Sequence, residues 1–351
     1  MNKIYEKLMR KCISLAKHGK GKVEPNPCVG AIVYDEKKEE IISTGYHKGF
    51  GKPHAEVEAI KNTKGNTKGK TIIVNLEPCS HFGKTPPCAD LIIKSGFKKV
   101  IVGMIDPNPL VQGKGIKKLK EAGIEVAENI LEKDCRELNK VFIKNILYKK
   151  PYVMLKTATT LDSKITDENQ NSKWITNELS RSCVQKLRSS YQAIMTGSGT
   201  IIKDNPQMNV RIKNKKSPVR IIFDPHNKLN FNYNVFKNDG VRIILVNNSN
   251  IKTPENVEKI EFSNFDSLFR ELYKRNIFSI MVEAGTGLNS MLLKEREIDE
   301  INQFISNKIF GSGKPFVDIQ NKFNIDYCIE LKDMKIEQFE DNFLINGKII
   351  K

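Results

Sequence analysis

Ile4, Leu8, Cys12 and Leu15 recur at helical spacing, which predicts an amphipathic helix over residues 2–18. Two strands should follow, Cys28 to Tyr34 and Glu40 to Thr44, joined by a charged turn. A helix is expected to begin at or near His54, and Thr71 to Asn75 is a β-branched strand. Cys88 opens a helix that runs through Lys94 and ends at Gly96. Lys99 to Gly103 is the next strand, and Gly113 to Ala122 a helix closed by Gly123. Residues 131–147 read as one last helix, and Lys149-Lys150-Pro151 as a boundary. The pattern then restarts with the strand Tyr152 to Ala158. Further strands are expected at Ala193 to Thr196, Val219 to Phe223, Val241 to Val246 and Ser279 to Val282, with helices at 177–189, 265–274 and 286–294. This alternation predicts two α/β domains, residues 1–147 and 151–351. No internal repeat or low-complexity segment interrupts them.

Length agrees with that division: 351 residues exceed the ~250–300 at which a single core stops growing. With 39% hydrophobic and 28% charged residues the chain has the make-up of a soluble globular protein. No apolar run approaches the ~20 residues of a membrane span, and the first residues lack the apolar core of a signal peptide. Seven scattered cysteines are odd in number, so a disulfide framework is not expected. A cytoplasmic protein with no membrane partner follows as the expectation. The formal charge of +17 raises the question of nucleic acid. The lysines are dispersed, however, with only short clusters such as Lys213, Lys215 and Lys216 and no basic tail. Dispersed surface charge, which also helps draw in phosphorylated small molecules, is the better reading.

The chemistry is concentrated in residues 54–88: His54-Ala55-Glu56, Glu77-Pro78-Cys79 and Pro86-Pro87-Cys88. One imidazole and two thiols make three ligands for Zn²⁺ and leave a tetrahedral position open for water. Glu56 is the acid/base group such a water needs, and His-x-Glu followed by Pro-Cys and a second Cys is the signature of nucleobase-type deaminases. Zinc-bound hydroxide would attack the amine-bearing carbon, while Glu56 takes the water proton, passes it to a ring nitrogen and then protonates the departing ammonia. The competing reading is a closed structural zinc site with His81 or His47 as fourth ligand, which leaves Glu56 without a task. In Pro25-Asn26-Pro27-Cys28 two prolines fix the backbone around Asn26, whose amide can read a pyrimidine edge; a plain turn is the alternative.

Together these segments resemble the bifunctional riboflavin-biosynthesis deaminase/reductase family. The resemblance runs through Pro25 to Gly30, His54 to Glu56, Glu77 to Cys88 (with Gly83-Lys84-Thr85-Pro86-Pro87), Asp106-Pro107-Asn108-Pro109 and Gly113 to Ile116. Eight residues separate Cys79 from Cys88, where many nucleoside deaminases place two. In the second half it covers Leu155 to Asp162, Ser172 to Thr176, Thr196 to Thr200, Asp204-Asn205-Pro206, Arg211 and Glu283 to Gly287. One departure is Ser163, in Asp162-Ser163-Lys164, where the family commonly has glycine.

The resemblance implies a cytidine-deaminase-like α/β/α sandwich followed by a dihydrofolate-reductase-like α/β domain. It implies zinc and NADPH as cofactors, a phosphorylated pyrimidine as substrate, no nucleic-acid partner, and a homo-oligomer. NADPH contacts would fall on Ala158, Trp174, Thr200, Asp204, Gly285, Thr286, Gly287, Leu288, Asn289, Ser290 and Met291. Substrate contacts would fall on Asn26, Ser172, Arg188, Met208, Arg211 and Glu283. Standing alone, Trp174 would more often be core, and Arg188 a solvated helix residue. Asp162, Lys156 and Glu283 are the available general acids for reduction. Two rival readings are a nucleoside or nucleic-acid-editing deaminase with a non-catalytic second domain, and a zinc-stabilised RNA-binding module.

Overall fold

The computed structural model describes residues 2–82, 86–109, 111–320 and 327–350, so Gly83, Lys84 and Thr85 of the Cys79–Cys88 loop lie outside the described residues. The chain divides into two units, Met1–Lys149 and Lys150–Lys351.

In the first unit α1 (Asn2–Ala16) precedes the antiparallel strands β1 (Gly30–Asp35) and β2 (Glu40–Tyr46), then α2 (Ala55–Asn62) and β3 (Thr71–Val74). α3 (Cys88–Lys94), β4 (Lys99–Val102), α4 (Lys114–Glu121), β5 (Glu125–Ala127), α5 (Glu132–Leu138) and α6 (Lys140–Tyr148) complete it. The sheet order is β2-β1-β3-β4-β5, with β3, β4 and β5 parallel. β1, β3 and β4 are buried throughout, as strands built on the apolar runs 31–34, 72–74 and 100–102 inside a layered sandwich should be. Ile32, Ile72, Ile73 and Ile101 are fully buried, each contributing about 1.5–3 kcal/mol. α2 lies hard on β2 because Gly45 has no side chain: a Cβ there would come within 2.4 Å of the Ala55 carbonyl oxygen.

Residues 131–147 differ from the single helix expected. Asn139 (φ −103°, ψ 17°) separates α5 from α6. Its side chain accepts from the Cys28 N–H at 2.8 Å and donates to the Cys28 carbonyl at 3.1 Å. A long-range tie thus overrides helical periodicity.

The second unit contains β6 (Tyr152–Thr159), α7 (Glu178–Arg188), β7 (Ala193–Gly197), α8 (Ser198–Asp204), β8 (Val219–Phe223), β9 (Ile243–Val246) and β10 (Val257–Ile260). α9 (Phe265–Lys274), β11 (Ser279–Val282), α10 (Thr286–Lys294), β12 (Glu300–Ile305), β13 (Leu331–Phe339) and β14 (Asn342–Ile349) follow. The sheet runs β10-β9-β8-β7-β11-β6-β12-β14-β13, parallel from β10 to β12 and antiparallel beyond. Asn177 and Asn264 cap α7 and α9, accepting from the N–H groups of Ser180 and Ser267. β12 escapes a reading by hydrophobic pattern because Glu300 and Asn302 are buried. Tyr152 donates to Glu300 at 2.7 Å, and the Asn346 amide reaches both Glu300 and Asn302. Such a polar row is stable only when every member is partnered.

Candidate active sites

In the first unit His54 is the extended residue that opens α2, Cys79 follows β3, and Cys88 is the first residue of α3. Their ligand atoms lie within 4.8 Å of one another, and among the described residues they are the only group of three or more such side chains gathered in this way. His54 Nδ1 is 3.3 Å from Cys88 Sγ and 3.7 Å from Cys79 Sγ. The Cys88 backbone N–H points at Cys79 Sγ from 3.3 Å. Hydrogen bonding from Cys88 first, then from His54, holds the Cys79 thiol well below its ordinary value, while the same pairing with Cys79 and burial push Cys88 up. One imidazole beside two sulfurs, one already favoured as thiolate, is a donor set that suits Zn²⁺.

Glu56 lies in the first turn of α2, buried and hydrogen-bonded to Cys88; burial raises its carboxyl although His54 works against that. A carboxyl raised toward neutrality is suited to taking and returning a proton. Neither proposed fourth ligand fits. His47 has both ring nitrogens engaged, Nδ1 with the Pro53 carbonyl at 3.0 Å and Nε2 with the Asn26 amide at 3.1 Å, and His81 is exposed and outside the group. Nδ1 donates to Pro53 and Nε2 accepts from Asn26, so His47 fixes Asn26 and leaves the Asn26 carbonyl oxygen for another donor. The segment is pinned further by Asn75, which accepts from the Gly30 N–H at 2.7 Å and donates to the Cys28 carbonyl at 3.0 Å.

Glu77 does not face the ligand cluster. Its carboxylate accepts from the N–H groups of Asp106, Gly113, Gly115 and Ile116 at 2.9–3.3 Å. It latches the start of α4 and the Asp106 loop beneath Pro78-Cys79. Gly115 is required there, since a Cβ would fall 2.1 Å from the Pro78 carbonyl oxygen. Glu77 is thus scaffolding for the Cys79 that follows it.

In the second unit the C-terminal ends of β7, β11 and β6 lie side by side, the usual place for a ligand in an open parallel sheet. Glu283, the residue after β11, receives Arg188 bidentately: Nε to Oε1 at 3.1 Å and Nη2 to Oε2 at 2.5 Å. Burial works to raise Glu283, but Lys156 and Arg188 outweigh it and leave the carboxyl low. Lys156, on the neighbouring strand, is lowered by burial against the pull of Glu283. Asp162 is no part of this cluster. Its oxygens accept from Thr160 Oγ1 at 2.6 Å and from the Phe310 and Gly311 N–H groups at 3.1 and 2.9 Å. Those bonds, Thr160 first, lower its carboxyl, so Asp162 is a loop anchor and a poor acid.

The glycine turns leave room above two helix starts. Gly197 and Gly285 open α8 and α10 with no side-chain cap, and a Cβ placed on Gly285 would lie 3.8 Å from Thr200 Oγ1. A Cβ on Gly199 or Gly287 would meet nothing within 4 Å, so the space above both turns is open. Free N–H groups with room above them suit the pyrophosphate of NADPH. Ala158 is half-buried on β6, and Asp204 closes α8 at the end opposite Thr200. Other residues are used internally. Leu288 is core, Asn289 donates to the Ala284 and Phe316 carbonyls, Ser290 accepts from the Asp318 N–H, and Thr286 donates to the Pro315 carbonyl. Met291 is exposed.

Trp174 is not core: it is 58% exposed, stacked 4.6 Å from the Arg181 guanidinium, with its carbonyl held by Lys308 at 2.7 Å. Ser172 is half-buried and Arg211 exposed. Arg188 is not the solvated residue it would be in isolation. The Met208 side chain lies in the core beside Ile194 and Ile201, which leaves only its backbone for a ligand.

Family models match each unit in turn. Residues 2–104 match the cytidine and deoxycytidylate deaminase zinc-binding region, and residues 151–345 match the RibD C-terminal domain. A zinc deaminase region thus precedes a reductase domain in one polypeptide. The chain belongs to the RibD family. It is 39% identical to the riboflavin biosynthesis protein RibD of Aquifex aeolicus, over 98% of each chain, and 35% identical to that of Actinobacillus pleuropneumoniae, over 97% of this chain and 94% of the other. The crystal structure of a Thermotoga maritima diaminohydroxyphosphoribosylaminopyrimidine deaminase/5-amino-6-(5-phosphoribosylamino)uracil reductase superposes with a TM-score of 0.89, at 40% identity over 99% of each chain. Acinetobacter baumannii RibD superposes with a TM-score of 0.87, at 32% identity over the whole of both chains.

Proposed function

We propose that this chain performs the deaminase and reductase steps of riboflavin biosynthesis, one in each unit. The substrate of the first is 2,5-diamino-6-ribosylamino-4(3H)-pyrimidinone 5′-phosphate, whose ring amine is lost as ammonia. In the second, the ribosyl group of 5-amino-6-(5-phosphoribosylamino)uracil is reduced to ribityl. The gathering of His54, Cys79 and Cys88 beside buried Glu56 carries this reading.

His54, Cys79 and Cys88 would hold zinc, which when bound would supply the Lewis acidity that brings the ionisation of water near neutral pH. Glu56 accepts one proton from water and delivers it to the ring nitrogen; it then takes the second proton from the hydroxyl added at the ring carbon and passes it to the amine, which leaves as ammonia as the carbonyl forms. Asn26, oriented by His47, offers its carbonyl oxygen to the pyrimidine edge. In the second unit NADPH supplies a hydride. Arg188 keeps Glu283 ionised and in place, and Lys156, whose ammonium burial has made more acidic, is the group suited to return a proton to the sugar oxygen. Arg211 offers a guanidinium fork to the ribose phosphate, and Arg188 the remaining N–H groups of Nη1 and Nη2 that Glu283 and Asn209 leave. Phosphorylated small molecules, not nucleic acid, are the partners.

No helix among the described residues is long and apolar enough to cross a membrane. The free cysteines suit a reducing cytoplasm. A homo-oligomer is supported by the apolar side chains exposed on the β13–β14 hairpin, Met334, Ile336 and Phe343.

Purified protein given the diaminopyrimidine ribotide should release ammonia and oxidise NADPH. A chelator should abolish ammonia release while reduction of pre-deaminated substrate survives. The rival editing-deaminase and RNA-binding readings require that no NADPH be consumed.

A further inference from the structure

Between Asp204 and Asp224 the chain carries no carboxylate, yet Arg211, Lys213, Lys215 and Lys216 fall together there and all are exposed. The three lysines enter no salt bridge among the described residues. Their loop is nonetheless built. Ser217 Oγ accepts from the Val210 N–H at 3.1 Å and closes the base, and the Lys215 N–H donates to the Ile212 carbonyl at 3.2 Å and turns the tip. The stem is tied to α7, because the Arg211 N–H donates to Gln185 Oε1 at 2.9 Å and Arg188 Nη1 donates to the Asn209 carbonyl at 3.2 Å. That same guanidinium grips Glu283. The basic loop therefore shares its anchor with the carboxylate at the end of β11. Elsewhere in the second unit lysines are interleaved with acids, as in the pairs Lys259–Glu261 and Lys348–Asp333. Here the charge is left uncompensated, and such a field attracts anions over several ångströms.

We propose that Lys213, Lys215 and Lys216 form an electrostatic gate that captures the phosphate of the reductase substrate and steers it toward Arg188, a role that rests on the reductase reading given above. The lysines are positioning residues. They act on encounter and touch no reacting atom, so they raise kcat/KM for the ribotide and leave kcat alone.

The test compares the full-length chain with K213Q/K215Q/K216Q and with K213R/K215R/K216R, following NADPH oxidation with pre-deaminated ribotide. At about 0.02 M salt the glutamine variant should lose about fivefold in kcat/KM for the ribotide, a gap that closes by about 0.3 M as screening sets in. Its kcat and its KM for NADPH should equal those of the unaltered chain, and the arginine variant should match that chain throughout. The gate is overturned by an unchanged kcat/KM at low salt, by a gap that ignores salt, by an effect confined to NADPH, or by an arginine variant as poor as the glutamine one. Should the unaltered chain oxidise no NADPH with the ribotide, the reductase reading itself falls, and that result is distinct from each of the others.

Discussion

The metal corner of the first unit and the cleft of the second solve the problem of assembly differently. His54, Glu56, Cys79 and Cys88 come from one short stretch, each fixed by the start of a helix or the turn after a strand. Lys156, Arg188 and Glu283 come from β6, the end of α7 and the end of β11, and meet only because β11 inserts between β6 and β7. Local geometry therefore makes the first site, and sheet order makes the second. In the first, single groups carry the chemistry. In the second, one guanidinium serves a carboxylate, a loop carbonyl and an approaching phosphate, so its shape matters as much as its charge.

Glu56→Gln tests the single-group side of that contrast and carries the largest expected effect. The amide cannot accept the proton, and deamination should fall by about a thousandfold. Metal content, measured by atomic absorption, should stay at the level of the unaltered protein, and reduction of pre-deaminated substrate should be untouched. A loss of less than tenfold would show that the carboxylate is not the proton carrier.

Arg188→Lys probes the shared-group side. A lysine keeps the charge but cannot hold both Glu283 oxygens and the Asn209 carbonyl at once. Reductase kcat/KM should drop by about 10- to 100-fold, with ammonia release unchanged. Full retention of reductase activity would mean that charge alone suffices, and the two sites would then be built on the same principle after all.

This difference also decides what was legible beforehand. The zinc ligands and Glu56 stand out because few residue types bind the metal and their spacing is short. Most strands of the second unit are continuous apolar runs and were readable for that reason, as were α9 and α10. β12 was not, since its buried Glu300 and Asn302 look like surface residues until Asn346 is brought opposite. β13 is exposed along most of its length and gives no apolar signal. Asn139 and Glu77 act on backbone far away in the chain, which no local pattern reveals. Residue type alone points Trp174 to the core, whereas its ring lies at the surface against Arg181. Asp162 lay in a motif that flags the right loop, but its carboxylate is consumed by the backbone of residues 310 and 311.

The smallest expected effect concerns the frame of the second site rather than its chemistry. Ser163 adopts φ 63°, a left-handed conformation that costs an L-residue about 1–2 kcal/mol and a glycine nothing. Glycine repays part of that through its greater freedom in the unfolded chain, so Ser163→Gly should stabilise the second unit by about 0.5–1 kcal/mol. Its unfolding transition should rise by about 1–4 °C in a calorimetric scan. The turn itself is set by backbone bonds, from the Ser163 N–H to the Thr160 carbonyl at 3.0 Å and from the Phe316 N–H to the Ser163 carbonyl at 3.2 Å, and both survive the change. Reductase kcat/KM should therefore stay as it is. A rise in activity alongside stability would instead place this turn among the residues that position Lys156 and Glu283. A fall in Tm would mean that the serine hydroxyl offsets the backbone strain with a contact of its own.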